Sequence, residues 1–163
     1  GEVDEALKHF NLAKDILEHS KDTNTLAAVN LNISEVYLLR NFPKSGVGFQ
    51  LQWAAFYPDF IMWTKEGREQ TIVFIDPKGL EHTRGLDDEK IQLKDEIKQL
   101  EQKLGKDNVV LESFILSKTP YEKLVEGKSK PPSKEEYIKH HILFLDDSDW
   151  PGRLFSNLIT STA

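Results

Sequence analysis

A short apolar run in the middle of the chain constrains the fold more than any other feature. Ile72, Val73, Phe74 and Ile75 are consecutive, and all four are residues that favour β-strands. A strand with one face in water alternates apolar and polar side chains, whereas a continuous apolar run indicates a strand that is covered on both faces. The run therefore predicts that residues 71–76 form an inner strand of a sheet with helices on both sides.

The composition fits a single domain over residues 1–163. Hydrophobic residues make up 39% of the chain and charged residues 29%, which is the balance of an ordinary globular domain. The first residue is Gly1 rather than Met, and we therefore expect a fragment of a larger protein. The net charge of −6 argues against a strong stand-alone nucleic-acid binder, although a catalytic module can borrow affinity from neighbouring domains.

The chain contains no cysteine, which excludes disulfides, thiolate zinc sites and cysteine nucleophiles. It also shows no secretory signal and no apolar stretch of the roughly 18 residues that a membrane span needs. From these features we expect a cytoplasmic location and no membrane partner.

Hydrophobic periodicity predicts the order α-β-β-β-α-β, followed by an extra unit. The segment from Ser133 to Glu136 matches a capping box at the start of a short helix. Pro120 is predicted to occupy the first position of another short helix. A hairpin-rich start followed by a crossover implies an α/β fold, with a mixed β-sheet flanked by helices. The predicted helices are 4–19, 87 or 88 to 104, and 150–159, and the predicted strands are 35–40, 56–64, 71–76, 109–117 and 141–145.

Two acids and a lysine are expected to converge at the end of the hairpin formed by strands 56–64 and 71–76. If Gly67 and Arg68 form its tip, Thr64 faces Thr71 and Asp59 faces Asp76, with Cβ atoms roughly 4.5–5.5 Å apart. Carboxylates this close repel unless a cation or a proton lies between them. Side chains alternate along a strand, so Lys78 lies on the same face as Asp76.

Such a constellation is typical of phosphodiester hydrolysis. Hard divalent cations prefer oxygen ligands, and Mg²⁺ keeps several of its waters when carboxylates hold it. A nearby lysine can orient the attacking water or stabilise charge on the phosphoryl group.

The motifs around these residues resemble those of a known nuclease family. Tyr57-Pro58-Asp59-Phe60, followed by Phe74-Ile75-Asp76-Pro77-Lys78-Gly79, resembles the PD-(D/E)XK signature. The stretch before it, a strand leading to Pro43 and then Gly46-Val47-Gly48, is similar to the C-terminal endonuclease domain of type III restriction enzyme Res subunits and related DEAD/DEAH-box helicases. The resemblance covers residues 35–80 closely, and beyond them only the order of elements matches.

The resemblance implies a restriction-endonuclease-like fold with an αβββαβ core and a Mg²⁺-dependent nuclease that cleaves DNA, with Mn²⁺ able to replace Mg²⁺. It implies that Asp59 and Asp76 bind the metal and that Lys78 assists the attacking water. The carbonyl of Pro77 is a further candidate ligand. The implied partners are DNA and an upstream helicase or ATPase domain of the same protein.

Four further residues are candidates for substrate contact: Lys44, His82, Lys90 and Gln92. For His82, Lys90 and Gln92 a solvated loop or first-turn position is the simpler interpretation, and for Lys44 the two are balanced. We expect the aromatic residues Tyr37, Trp53, Phe56 and Trp63 in the core rather than stacked on bases.

Two other functions remain open. The domain could be a catalytically inactive nuclease-like module, serving a helicase as a structural or DNA-binding part. The charged amphipathic helix that ends at Leu104 could also bind a protein partner, unless it covers its own sheet.

Overall fold

The computed structural model describes residues 35–42, 46–51, 55–89 and 91–161. The predicted helix over residues 4–19, together with Lys44, Trp53 and Lys90, lies outside the described residues. The strands are β1 (Glu35–Arg40), β2 (Phe49–Gln50), β3 (Ala55–Phe56), β4 (Phe60–Glu66), β5 (Glu69–Lys78), β6 (Val109–Ser117) and β7 (Ile142–Phe144). The helices are α1 (Leu93–Leu104), α2 (Tyr121–Val125), α3 (Lys134–Lys139) and α4 (Trp150–Ser161).

Five of the strands form a mixed sheet in the order β1-β4-β5-β6-β7. The β1–β4 and β4–β5 pairs are antiparallel, whereas β6 and β7 continue the sheet in parallel. A parallel pair needs a crossover, and α1 supplies it between β5 and β6. The predicted mixed sheet flanked by helices is confirmed, and β2 and β3 form a separate two-stranded ribbon.

Strand β5 is buried on both faces, as its apolar run predicts. Val73 and Ile75 belong to one core with Leu154, Phe155 and Leu158 of α4. Phe74 belongs to a second core with Leu93 and Ile97 of α1. The alternation of side chains along β5 therefore gives each neighbouring helix its own apolar surface.

Several predicted bounds were wrong. The strand expected at 71–76 covers Glu69–Lys78, the strand expected at 141–145 covers only Ile142–Phe144, and the helix expected at 150–159 continues to Ser161. The expected strand 56–64 is divided into β3 and β4, and Pro58, which cannot donate a ladder hydrogen bond, lies between them. Helix α1 begins at Leu93 rather than at residue 87 or 88. The carboxylate of Asp88 instead accepts a hydrogen bond from the backbone N–H of Arg84, at 3.1 Å, within an earlier turn.

Other local predictions are confirmed. Strands 35–40 and 109–117 have the expected bounds, and the capping box is formed, with Ser133 and Glu136 bonded in both directions. Pro120 lies at the N-cap of α2, one position before its predicted place. No helix among the described residues is both long enough and apolar enough to cross a membrane.

The aromatic residues divide differently from the prediction. Phe56 is buried, but Tyr37 and Trp63 are 60% and 45% exposed. Both line an open groove beside the last turns of α1 rather than lying under the helix. Sequence alone does not give the width of the sheet that one helix covers, and for this reason the prediction of burial failed.

Candidate active site

The β4–β5 hairpin has the register that the sequence predicts. Gly67 adopts a positive φ of 57° at the tip, and Thr64 faces Thr71. Pairing continues to Phe60 opposite Ile75, where the ladder ends. Asp59 and Asp76 are the next residues in this register, so they lie together at the open end of the hairpin.

Asp76 is a buried carboxylate with a lysine partner. The residue is 7% exposed, and its Oδ2 lies 2.6 Å from Nζ of Lys78. Burial raises the pKa of Asp76 above its ordinary value of 3.8, because water no longer solvates the charge. The ammonium of Lys78 opposes this rise, whereas the nearby Asp59 adds to it. The two acids therefore interact electrostatically, as the hairpin register requires.

The end of β5 is held rigidly against β6. The backbone N–H of Lys118 donates to the carbonyl of Lys78 at 2.9 Å, and that of Leu80 donates to Oγ1 of Thr119 at 3.0 Å. The hydroxyl of Ser117 donates to the carbonyl of Thr119 at 2.7 Å, which fixes the turn after β6. These bonds limit the freedom of Lys78 before any substrate binds.

The position of Pro77 is consistent with a ligand role for its carbonyl. Lys78 directs its carbonyl toward β6, and successive carbonyls along a strand point to opposite edges. The carbonyl of Pro77 therefore points toward the β4 side, where pairing has ended and Asp59 lies. For the same reason the missing N–H of Pro77 removes no bond from the β5–β6 ladder.

Asn41 fastens the loop next to Asp59. Its side-chain amide donates to the carbonyls of Val47, at 2.7 Å, and Pro58, at 2.9 Å, and its Oδ1 accepts from the N–H of Val47 at 2.9 Å. Its backbone N–H donates to the carbonyl of Asp59 at 2.8 Å. Asn41 is 5% exposed, so these bonds are shielded from water and hold Asp59 beside β1.

The Gly-Val-Gly motif has a packing reason. A Cβ at Gly46 would lie 2.1 Å from Oδ1 of Asn41, and a Cβ at Gly48 would lie 2.4 Å from the ring of Tyr57. Either methyl group would displace a residue that adjoins Pro58 and Asp59 or binds them. The glycines therefore allow the loop to approach Asn41 and Tyr57 closely.

The donor set fits a hard divalent cation in part. Two carboxylates and one backbone carbonyl are the oxygen ligands that Mg²⁺ accepts while it retains water. The described part of the chain contains no group of three or more His, Asp or Glu side chains able to hold a metal ion. With two carboxylates, Asp59 and Asp76 fall one side chain short of such a group.

Two of the four remaining candidates, His82 and Gln92, lie in the described part of the chain. His82 is exposed, and its charged neighbour is Glu81, which pairs with Lys123 at 2.7 Å. Gln92 is exposed at the N-cap of α1. Lys44 and Lys90 lie outside the described residues, so their predicted substrate contacts stay predictions.

Three residues near the site were missed by the sequence analysis. The ring of Phe56 lies under the ammonium of Lys78, 5.9 Å from Nζ to the ring centroid. Lys118 is close enough to lower the pKa of Asp76. Asn41 holds the backbone of Asp59. Phe56 and Lys118 belong to no motif, whereas Asn41 lies in the stretch before Pro43 that carries the family resemblance, where the sequence assigned it no role.

The comparisons with known proteins add nothing to this geometry. No family model, no curated protein and no solved structure matches the chain.

Proposed function

We propose that this chain is a Mg²⁺-dependent nuclease that hydrolyses phosphodiester bonds of DNA, as the endonuclease part of a restriction or helicase protein. The observation that supports the proposal most is the buried Asp76, which pairs with Lys78 and lies in register with Asp59. A buried charge costs folding free energy, and such groups concentrate where chemistry needs them.

In this proposal the two acids bind the metal ion, and the lysine acts on the substrate. Asp59, Asp76 and the carbonyl of Pro77 would hold the metal, which when bound lowers the pKa of its water and offsets charge on the phosphoryl group. Lys78 is 29% exposed at its side chain, so its ammonium reaches solvent while it touches Asp76. It can therefore donate a hydrogen bond to the attacking water or to a phosphate oxygen as the P–O ester bond breaks.

The restriction-endonuclease-like version of the fold belongs to the same proposal. Strands β1, β4 and β5, then helix α1, then strand β6 follow the βββαβ order of that core. The first helix of the core would come from residues 4–19. DNA, an upstream helicase domain and a cytoplasmic location are likewise predictions.

Cleavage of DNA by site variants tests the proposal. In Mg²⁺ or Mn²⁺ we expect the chain to nick or cut plasmid DNA and expect EDTA to stop it. Asp76→Asn should reduce the rate by about 100-fold or more, since even residues that only orient a metal ligand are worth 10–100-fold. Lys78→Met should reduce it by about 10²–10⁴-fold.

Matched controls remove the same charges far from the site. Asp107→Asn and Lys103→Met alter exposed residues at the turn between α1 and β6 and in the last turn of α1, and should cleave like the unaltered chain. Metal-dependent cleavage that persists in Asp76→Asn would overturn the proposal.

An inactive nuclease-like module is the second candidate. The observation that favours it is the ion pair itself, because Lys78 already neutralises the carboxylate that a metal would need. Such a module would bind DNA, if at all, with equal affinity in EDTA and in Mn²⁺. A nuclease would bind uncut DNA more tightly in the presence of a metal that its active site holds.

A further inference from the structure

One face of the sheet is only half covered by the described residues. Helix α1 packs over β5 and β6 through Leu93 and Ile97. Beside it runs an open groove of about 400 Å³ that crosses β1 and β4 and reaches Ile72 and Phe74 of β5 and Leu111 of β6. Side chains from both strands and from α1 line it, among them Tyr37, Leu39, Ile61, Trp63, Leu100 and Leu104.

The groove is more apolar than an ordinary protein surface. Leu39 is 59% exposed, and the exposed fractions of Tyr37, Trp63 and Leu104 lie between 45% and 60%. Large apolar side chains are scattered on most surfaces, but a contiguous patch of them marks a contact site. This patch lies between a helix and an edge strand, and a second helix beside α1 would fill it at the usual interaxial spacing of about 8–10 Å.

The chain itself carries a segment of matching pattern and length. Residues 4–19 place apolar side chains on one helical stripe, namely Ala6, Leu7, Phe10, Ala13, Ile16 and Leu17, and Val3 precedes them at the same spacing. A helix of this length would span about 24 Å, close to the roughly 23 Å that β4 covers. Its polar stripe, with Asp4, Lys8, Asn11 and Asp15, would face water.

The connection to β1 favours this segment over a partner chain. Residues 20–34 end directly at Glu35, the first residue of β1, and β1 contributes Tyr37 and Leu39 to the groove. A tether this short gives an effective concentration on the order of millimolar, so an intramolecular occupant outcompetes a second copy at ordinary protein concentrations. We propose that residues 4–19 pack as an amphipathic helix into the groove between α1 and β1.

The absence of cysteine makes the groove accessible to a single introduced thiol. In Leu39→Cys the new thiol lies in the groove, whereas in Ser129→Cys it lies in an exposed loop. The probe is Ellman's reagent, with each rate divided by the rate of the same variant in urea. We expect Leu39→Cys to react about tenfold or more slowly than Ser129→Cys, because the helix must leave before the thiol is reached.

Variants of the segment identify the occupant. Added to Leu39→Cys, the pair Leu7→Asp/Phe10→Asp should raise the rate to that of the exposed thiol. The matched pair Lys8→Asp/Asn11→Asp puts two aspartates on the polar stripe and should leave the protection unchanged. Equal rates for Leu39→Cys and Ser129→Cys would overturn the proposal, as would protection that grows with protein concentration, the sign of a second copy.

A cross-linking measurement keeps the test decisive if the aspartate pair fails to fold. A short bismaleimide should join Phe10→Cys to Leu39→Cys within one chain. Cross-linked dimers, or no cross-link in folded protein, would overturn the proposal.

Discussion

At the scale of single residues, Asp76 is a buried carboxylate whose negative charge opposes folding. Burial raises its pKa, so in the folded protein its charged form is disfavoured relative to the unfolded chain. The folded state therefore binds the proton more tightly, and folding is favoured by acid at this residue. The charge that a metal site needs is the form that folding disfavours.

This sign gives a prediction for Asp76→Asn. At pH 7.5 the variant should have a higher free energy of unfolding than the unaltered chain, because the buried charge is gone. The difference should shrink as the pH falls through the raised pKa of the folded state, and should vanish well below 3.8, where Asp76 is protonated in both states. Urea denaturation over a pH series measures it, with Asp107→Asn as the exposed control. A variant that is less stable at every pH would contradict this view.

Asn41 joins the loop at Val47 to the backbone of Pro58 and Asp59. Asn41→Ala would leave the buried carbonyl of Pro58 and the N–H of Val47 without their partner. We expect a loss of about 1–3 kcal/mol in the free energy of unfolding. Because Asp59 loses its backbone support only in part, Mn²⁺ affinity should fall less than in Asp59→Asn. Equal stability in urea for Asn41→Ala and the unaltered chain would contradict this role.

At the scale of elements, α1 is tied to β6 by an ion pair whose carboxylate is buried and whose lysine is partly exposed. Glu112 of β6 is 2% exposed, and its Oε1 lies 2.7 Å from Nζ of Lys98. His141, 3.5 Å from Glu112, does not supply the charge, since burial lowers the pKa of its imidazole to about 4. Lys98 is therefore the cation that compensates Glu112 at neutral pH.

Removal of that cation should be costly. Lys98→Met leaves a buried carboxylate without a cation partner, and we expect a loss of about 3–5 kcal/mol in the free energy of unfolding. The double variant Lys98→Met/Glu112→Gln should recover part of it, because neither side chain is then charged. Urea denaturation of the unaltered chain, Lys98→Met, Glu112→Gln and the double variant gives the coupling energy between the two side chains. Additive effects of the two substitutions would show that the pair does not hold α1 to β6.

The elements also show what sequence can and cannot predict here. The apolar run of β5 identified an inner strand, and Gly67 fixed the hairpin register that places Asp59 beside Asp76. Both features depend only on residues close together in the sequence, so both could be predicted from it. The division between β3 and β4 and the start of α1 depend on local turns that hydrophobic periodicity does not reveal. In one of these turns the carboxylate of Asp88 accepts a hydrogen bond from the backbone N–H of Arg84.

At the scale of the whole molecule, the sheet order follows from the predicted elements but its coverage does not. The exposure of Tyr37 and Trp63 depends on how far α1 reaches across the sheet, which is a property of the packed molecule. The ion pair between Glu112 and Lys98 and the hydrogen bonds of Asn41 join different elements of the fold. No sequence motif predicts them. The candidate site was therefore predictable at its acids and lysine and not in its supporting residues.

The measurement that tests the central claim most directly is calorimetric titration with Mn²⁺ at pH 7.5. The unaltered chain should take up the cation at one site, and Asp59→Asn and Asp76→Asn should each lose that binding while Asp107→Asn keeps it. Lys78→Met should still bind, since its ammonium is a competitor for Asp76 and not a ligand. Equal Mn²⁺ uptake by the unaltered chain and by the double variant Asp59→Asn/Asp76→Asn, or no uptake by any of them, would contradict a shared metal site.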